Sequence, residues 1–299
     1  MIKVIGTTAA ALLVAGALLP NTATAATTAS CVLGAGSVTP SGDQAAVVVA
    51  STTPPTATTN VTGRDVFAPG QVKVSSSMAI MDDGYGGYSV FGDVVIGDGL
   101  YSVGYHAVDG TPTAKPGLTR RGGGWSNFVA LEIAEYHGPT EAGITRRTMY
   151  ALRSDGVLFR WTIDSKGVWR NKTTATGFAA VKSMALISKS KTYDTFIANT
   201  RGGALYTIHV PTTAPMKPVV KQVRRSTWQG FDALLAQTCG RYGTVLLGID
   251  RDTDTGYLYA VGHATGTTTV IQGLGKVPAT FGDTVYFRWR DPGSPMNGE

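Results

Sequence analysis

Charge, histidine and cysteine are all scarce in this chain, and each scarcity closes off a class of function. Charged residues make up only 15% of 299, against roughly a quarter in ordinary soluble domains, so long solvated helices are not the plan. Four histidines scattered singly leave no spacing that would gather the ligands of a zinc centre. Two cysteines, Cys31 and Cys239, with no CxxC arrangement, are too few for a disulfide-dense mini-fold and wrongly spaced for a redox pair. No Gly-x-Ser-x-Gly occurs, which removes the signature of a hydrolase nucleophile elbow. Beyond residue 25 no apolar run reaches the about 20 residues that a membrane-crossing helix needs.

What is abundant is glycine, 38 residues, with Thr, Val, Ser and aromatics where a helical protein would carry Leu, Glu and Lys. This is the composition of many short strands and many turns. The opening "MIKVIGTTAAALLVAGALLPNTATA" carries Lys3, an apolar run from Ala9 to Leu19, Pro20 and small residues up to Ala25. It reads as a secretory signal peptide, residues 1–25, so the mature chain is expected outside the cell. An even cysteine count in an oxidising compartment predicts one disulfide, Cys31 to Cys239. The formal charge of +6 is spread in short pairs such as Arg120-Arg121 and Arg146-Arg147. No basic stripe forms, so neither nucleic-acid binding nor membrane insertion is expected; a mildly cationic surface suits solubility or attraction to an anionic polymer.

One pattern recurs four times: "GDGLYSVGYH", "SDGVLFRWTI", "RGGALYTIHV" and "TGYLYAVGHA", each a turn glycine, a leucine and an aromatic. Aligned on Leu100-Tyr101, Leu158-Phe159, Leu205-Tyr206 and Leu258-Tyr259, the copies lie about 50 residues apart, a period that marks propellers and related arrays. Phe128, Phe178 and Phe231 each open an apolar strand ahead of the matching leucine. Three or four strands in series make a small twisted sheet that cannot cover both its faces alone, and stacking such sheets around an axis covers them. The expected fold is all-β, a β-propeller of five blades, counted from four clear units and a remnant at "FGDTVYFRWRD". Residues 26–60, rich in Thr, Ala, Ser and Pro, read as a linker with one blade-closing strand at Ala45 to Ala50, and residues 61–299 as the propeller. A Cys31–Cys239 bond would then pin the N-terminal arm near the fourth and fifth units.

At these residues the chain resembles the tachylectin family of five-bladed β-propellers. "WSNF" (Trp125 to Phe128) and "WQGF" (Trp228 to Phe231) match the opening of that family's repeat, and "MYALRSDGVLFRWTI" matches the rest in order. The third unit departs from it, with Ala175 where the tryptophan stands, and the similarity spans roughly Val74 to Gly266. The resemblance implies non-catalytic binding of N-acetylated sugars in pockets between neighbouring blades. The chain would then be a secreted, multivalent, lectin-like binder of polymeric or cell-surface glycan, monomeric and without a cofactor.

Sugar recognition needs a flat apolar face for the ring and a few groups that fix its hydroxyls. Trp125, Trp169 and Trp228 stand beside turns, and Tyr101, Tyr206, Tyr259 and Asp155 mark the repeated hairpins; these seven are the candidate contacts. The competing reading packs the tryptophans between sheets, and Trp161 is expected in the core. Asp250, Asp252 and Asp254 in "DRDTDTG" resemble the start of a calcium loop. The glycine falls one residue late and no acid closes the loop, so a long hairpin turn is preferred. His106, His209 and His263 each follow a Leu-aromatic strand on a different unit, too far apart to share a metal. Glu132, Glu135, Glu141 and several aspartates offer carboxylates that a glycoside hydrolase would need. A hydrolase and a protein-binding scaffold are the alternative functions.

Overall fold

Alternating side chains turn nearly every described segment into strand. The computed structural model describes residues 30–138, 143–290 and 294–299; the expected signal peptide and Glu141 lie outside them. β1 (Val32–Val38), β2 (Gln44–Ala50) and β3 (Thr56–Gly63) form an antiparallel meander. Blade 1 follows. Its inner strand is broken into β4 (Val72–Ser75) and β5 (Met78–Asp82), both paired with β6 (Gly87–Ile96). β7 (Gly99–Val108) comes next and carries both β8 (Thr111–Pro112) and β9 (Gly117–Gly122) on its other edge. Blade 2 is β10 (Phe128–His137), β11 (Ile144–Arg153), β12 (Leu158–Ile163) and β13 (Trp169–Ala175). Blade 3 is β14 (Val181–Lys189), β15 (Tyr193–Thr200), β16 (Leu205–Pro211) and β17 (Val219–Arg224). Blade 4 is β18 (Ala233–Cys239), β19 (Gly243–Asp250), β20 (Thr255–Val261) and β21 (Ile271–Lys276). Finally β22 (Val285–Arg290) pairs antiparallel with β1, so blade 5 is assembled from both ends of the domain.

The inner strands close a ring. β4 contacts β10, β10 contacts β14, β14 contacts β18, β18 contacts β22, and β22 returns to β4. A short parallel ladder, Trp289 to Met78 and Arg290 to Ala79, stitches blade 5 to blade 1. Serine hydroxyls bridge neighbouring inner strands: Ser77 Oγ accepts from the Ile133 amide at 3.2 Å, and Ser183 Oγ from the Leu234 amide at 2.8 Å. The protein is therefore a five-bladed β-propeller, as the repeat count predicts. The segment 26–60 contributes more than the one strand expected of it, since three of the four strands of blade 5 come from residues 32–63. β3 is mostly exposed, and an outer strand of that kind has no need of the apolar alternation that marks buried ones.

Five apolar clusters lie in the five seams between blades. The repeated leucines are their common element: Leu100, Leu158, Leu205 and Leu258 are each at most 1% exposed, and burying each such side chain contributes roughly 1.5–3 kcal/mol. At the closure Phe287 lies directly on Gly36, where an added Cβ would meet the ring at 2.2 Å, so only glycine fits. The disulfide joins Cys31, just ahead of β1, to Cys239 at the end of β18, with Cα atoms 5.4 Å apart. It ties the closing meander to blade 4, where the sequence placed it. Among the described residues no helix is long and apolar enough to cross a membrane.

Candidate functional site

The Trp-x-x-Phe elements act as staples between blades. The Trp125 amide donates to the Asp98 carbonyl in the hairpin turn of blade 1, and the Trp228 amide to the Gly203 carbonyl in that of blade 3, each at 3.0 Å. Their rings then fold into their own blade. Trp125 packs on Phe128 at 4.4 Å and on Trp161 at 5.5 Å, while Trp228 packs on Tyr259 at 4.9 Å and Phe231 at 5.5 Å. Trp125 is 7% exposed and Trp228 5%, which corrects the expectation that these two rings are presented to a sugar. A ring buried that deeply in a seam has no face left for a ligand.

The remaining candidates fall in several places. Trp169 is half-buried, edge-on to Trp125 at 5.9 Å and 5.2 Å from Trp161. Trp161 is itself half-buried rather than wholly in the core. Tyr259 joins the Trp228 staple, and Tyr101 and Tyr206 lie partly buried in blades 1 and 3. Asp155 is exposed; it accepts from Arg153 at 2.7 and 3.0 Å and from the Val157 amide at 3.2 Å. Arg153 holds its carboxyl below the usual range. The structure thus brings together Trp125 with Trp169, and Trp228 with Tyr259, but forms no single site from the seven. Asp250 caps its own hairpin turn by accepting from the Asp252 amide at 3.0 Å. Among the described residues no three His, Cys, Asp or Glu side chains converge as metal ligands. His106 pairs with Asp83 at 2.9 Å, His209 with Glu299 at 2.6 Å, and His263 packs edge-on to Tyr242.

Another part of the seam between blades 1 and 2, away from the Trp125 staple, is left unfilled. On β6 the even-numbered Val90 and Val94 point into the core shared with blade 5, so by strand alternation Phe91 and Asp93 face the other way, toward blade 2. Cross-strand register adds to that face: Asp93 lies opposite Ser102, Phe91 opposite Gly104, Ser102 opposite Thr119 and Gly104 opposite Gly117. Polar and glycine positions stand where a seam ordinarily carries branched apolar side chains. A cavity of about 400 Å³ results, lined by these residues with Arg121 from blade 1 and Arg147 from blade 2. Phe91 is 42% exposed beside the glycine backbone, an open ring face. Asp93 is 6% exposed and its backbone is fixed by Ser76, whose Oγ accepts the Asp93 amide at 3.0 Å. Burial pushes its carboxyl above the ordinary range, against the pull of Arg121, Arg147 and Arg290. The signal was present in "YSVFGDVVIGDGLYSVGYH", where one face of two paired strands reads Phe, Asp, Ser, Gly instead of alternating apolar residues.

The ring axis forms a second cavity of about 490 Å³, lined by residues from all five inner strands. Its carboxylates are held by cations. Glu132 accepts from Arg288 at 2.8 Å, and Asp232 lies 3.0 Å from Lys182 and 3.9 Å from Arg251. Burial alone would raise Asp232; the Arg251 amide and Lys182 outweigh it and hold the carboxyl below its usual range. Deeper, Glu135 pairs with Arg290 and, at 3.0 Å, with Arg147.

No protein-family model matches the chain, and no curated protein does. Among solved structures it is similar to a GH62 hydrolase in complex with xylotriose, with 12% identity and a TM-score of 0.41 over 64% of this chain and 66% of that one. The Aleuria aurantia lectin bound to a fucosylated GlcNAc gives 17% identity and a TM-score of 0.42, over 79% and 75%. A Bacteroides ovatus xyloglucan-locus GH43B gives 14% and 0.41, over 87% of this chain and 58% of that one. The chain thus spans about two thirds or less of either hydrolase. Likeness this distant concerns fold alone, and the ring closure stands on the strand pairing described above.

Proposed function

We propose that this chain is a secreted, non-catalytic carbohydrate-binding protein whose principal sugar pocket is the seam cavity between blades 1 and 2. The observation that carries the reading is the unfilled face of blade 1. It combines an exposed Phe91 ring, a glycine floor, a buried Asp93 and two arginines in about 400 Å³, a size that suits a mono- or disaccharide since ligand pockets begin near ~300 Å³. The phenyl ring offers the apolar surface on which a pyranose stacks. Asp93, Ser102, Thr119, Arg121 and Arg147 offer the donors and acceptors that distinguish one hydroxyl pattern from another. The resemblance of the repeats to tachylectin-like propellers supports a seam as the place of binding. The disulfide agrees with export to an oxidising compartment.

The carboxylates support a reading of binding without cleavage. A glycoside hydrolase needs one carboxyl poised to give a proton and a second free to attack or to activate water. Burial prepares Asp93 for the first role, but Glu135 is clamped by Arg147 and Arg290, and Glu132 by Arg288. The test is a glycan array probed with the wild-type protein and with Phe91→Ala, followed by a reducing-end assay on every glycan retained. We expect retention of at least one glycan class, about tenfold weaker in Phe91→Ala, with no new reducing ends. Absence of any retained glycan removes the proposal. Reducing ends that disappear in Asp93→Asn would turn it into a hydrolase.

A further inference from the structure

We propose that the axial cup is a binding site for an oxyanion: a carboxylate, sulfate or phosphate ester. The inference rests on the cup alone and is independent of the sugar reading of the seam. The propeller brings cations from distant parts of the chain to one axis. Lys73 comes from β4, Lys182 from β14, Arg288 from β22, and Arg201 and Arg251 from the hairpin turns of blades 3 and 4. Against these five stand two carboxylates, Glu132 and Asp232, which leaves three positive charges in excess on the wall.

The excess is positioned to be used. Asp232 is shared between Lys182 at 3.0 Å and Arg251 at 3.9 Å, so one of that pair is not neutralised. Arg201 donates to the carbonyls of Ala179 and Val181 and has no acid partner among the described residues. Lys73 is exposed at the rim and likewise has no ion pair among them. At the floor Arg288, 4% exposed, gives one guanidinium nitrogen to Glu132 while its buried Nε has no acceptor.

Apolar residues behind these groups lower the local dielectric, and a concave wall of one sign concentrates its field on whatever enters. The cup suits a neutral sugar poorly. Of its aromatic rings, Phe128 and Phe287 are 8% and 2% exposed, and the half-buried Tyr286 packs toward Phe281 at 6.0 Å in the seam with blade 4, so the cup presents no broad open face on which a pyranose would stack. A carboxylate or sulfate needs only the fork of an arginine and the ammonium of a lysine.

The test is isothermal titration of the full chain with sodium sulfate, glucuronic acid and glucose in about 150 mM salt, where charges beyond roughly 8 Å are screened. Sulfate and glucuronate are expected to bind and glucose not to. Lys73→Glu should weaken both anions at least about tenfold, and Lys73→Gln and Arg251→Gln each about threefold. Lys166→Glu, on the exposed turn between β12 and β13, should change neither, and Phe91→Ala should leave sulfate binding as it was. Glucuronate binding more tightly than sulfate assigns the cup to a sugar-borne anion; the reverse assigns it to a free one. The proposal is overturned if neither anion binds, if glucose binds as well as glucuronate, or if Lys166→Glu weakens binding as much as Lys73→Glu. Lys73 is exposed, so its variants are expected to fold, and an unchanged unfolding midpoint checks this.

Discussion

The Trp-x-x-Phe staples of blades 2 and 4 and the open face of blade 1 treat the space between blades in opposite ways. In blades 2 and 4 a Trp-x-x-Phe element ties its amide to the previous hairpin turn and drives its rings into the sheet, so the part of the seam beside that turn is filled with aromatic carbon. Blade 1 lacks that element. The face it turns to blade 2 carries Asp93, Ser102, Gly104 and Thr119, and space remains. The repeated aromatics fill the part of a seam next to the hairpin turn, and space remains where the β6–β7 face of blade 1 carries polar and glycine positions instead of apolar ones.

The comparison can be broken most forcefully at the closure, on which the staples and the open face both depend. Replacing Cys31 and Cys239 together by Ala releases the ring's fastening, and chemical denaturation should show a loss of about 5 kcal/mol, the chain-entropy expectation for so long a loop. Next in size, Trp228→Ala should destabilise by about 3–5 kcal/mol, as large aromatic deletions in a tight core do. The affinity of the surviving folded protein for its glycan should be unchanged. A loss of binding with little loss of stability would return Trp228 to the role of a sugar contact.

How much of this was legible in the sequence differs between the same two regions. The leucine-aromatic hairpins of blades 1 to 4 announce themselves because their leucines must be buried on every copy and because glycine recurs just ahead of them, held at positive φ in blades 2 and 3. At Gly156, for example, φ is +84° and a Cβ would stand 2.1 Å from the Ala179 amide nitrogen. The ends of the ring were less legible. β3, "TATTNVTG", lies mostly in solvent and looks like linker, since nothing buried disciplines its composition. The tryptophans were visible but their orientation was not: "WSNF" and "WQGF" have the same letters whether the ring faces solvent or folds back into its own blade. Nor was the cavity read from composition, because it arises from cross-strand register, from Asp93 meeting Ser102 and Phe91 meeting Gly104.

A smaller effect sharpens the comparison further. The Asp93 carboxyl titrates above its ordinary value of 3.8 because burial penalises its charge. A raised native value means that the folded state holds the proton more tightly than the unfolded chain does. Its contribution is therefore fully present below about 3.8 and is lost as pH rises through the native value. Asp93→Asn should remove that dependence, so the variant gains stability relative to wild type on going from pH 4 to pH 8, with both measured by urea unfolding. A wild type whose stability relative to the variant rises over the same range would mean that the arginines, not burial, govern this carboxyl.

The most direct measurement sets the open part of the seam between blades 1 and 2 against its stapled part in one titration. Phe91→Ala and Trp169→Ala each remove one ring, the first from the open part of that seam and the second from the half-buried edge of its staple. Their dissociation constants for the best glycan are compared with that of wild type. At least about a tenfold loss is expected for Phe91→Ala and less than twofold for Trp169→Ala. The reverse order, with Trp169→Ala abolishing binding and Phe91→Ala leaving it intact, would place the ligand on the staples and not in the open cavity.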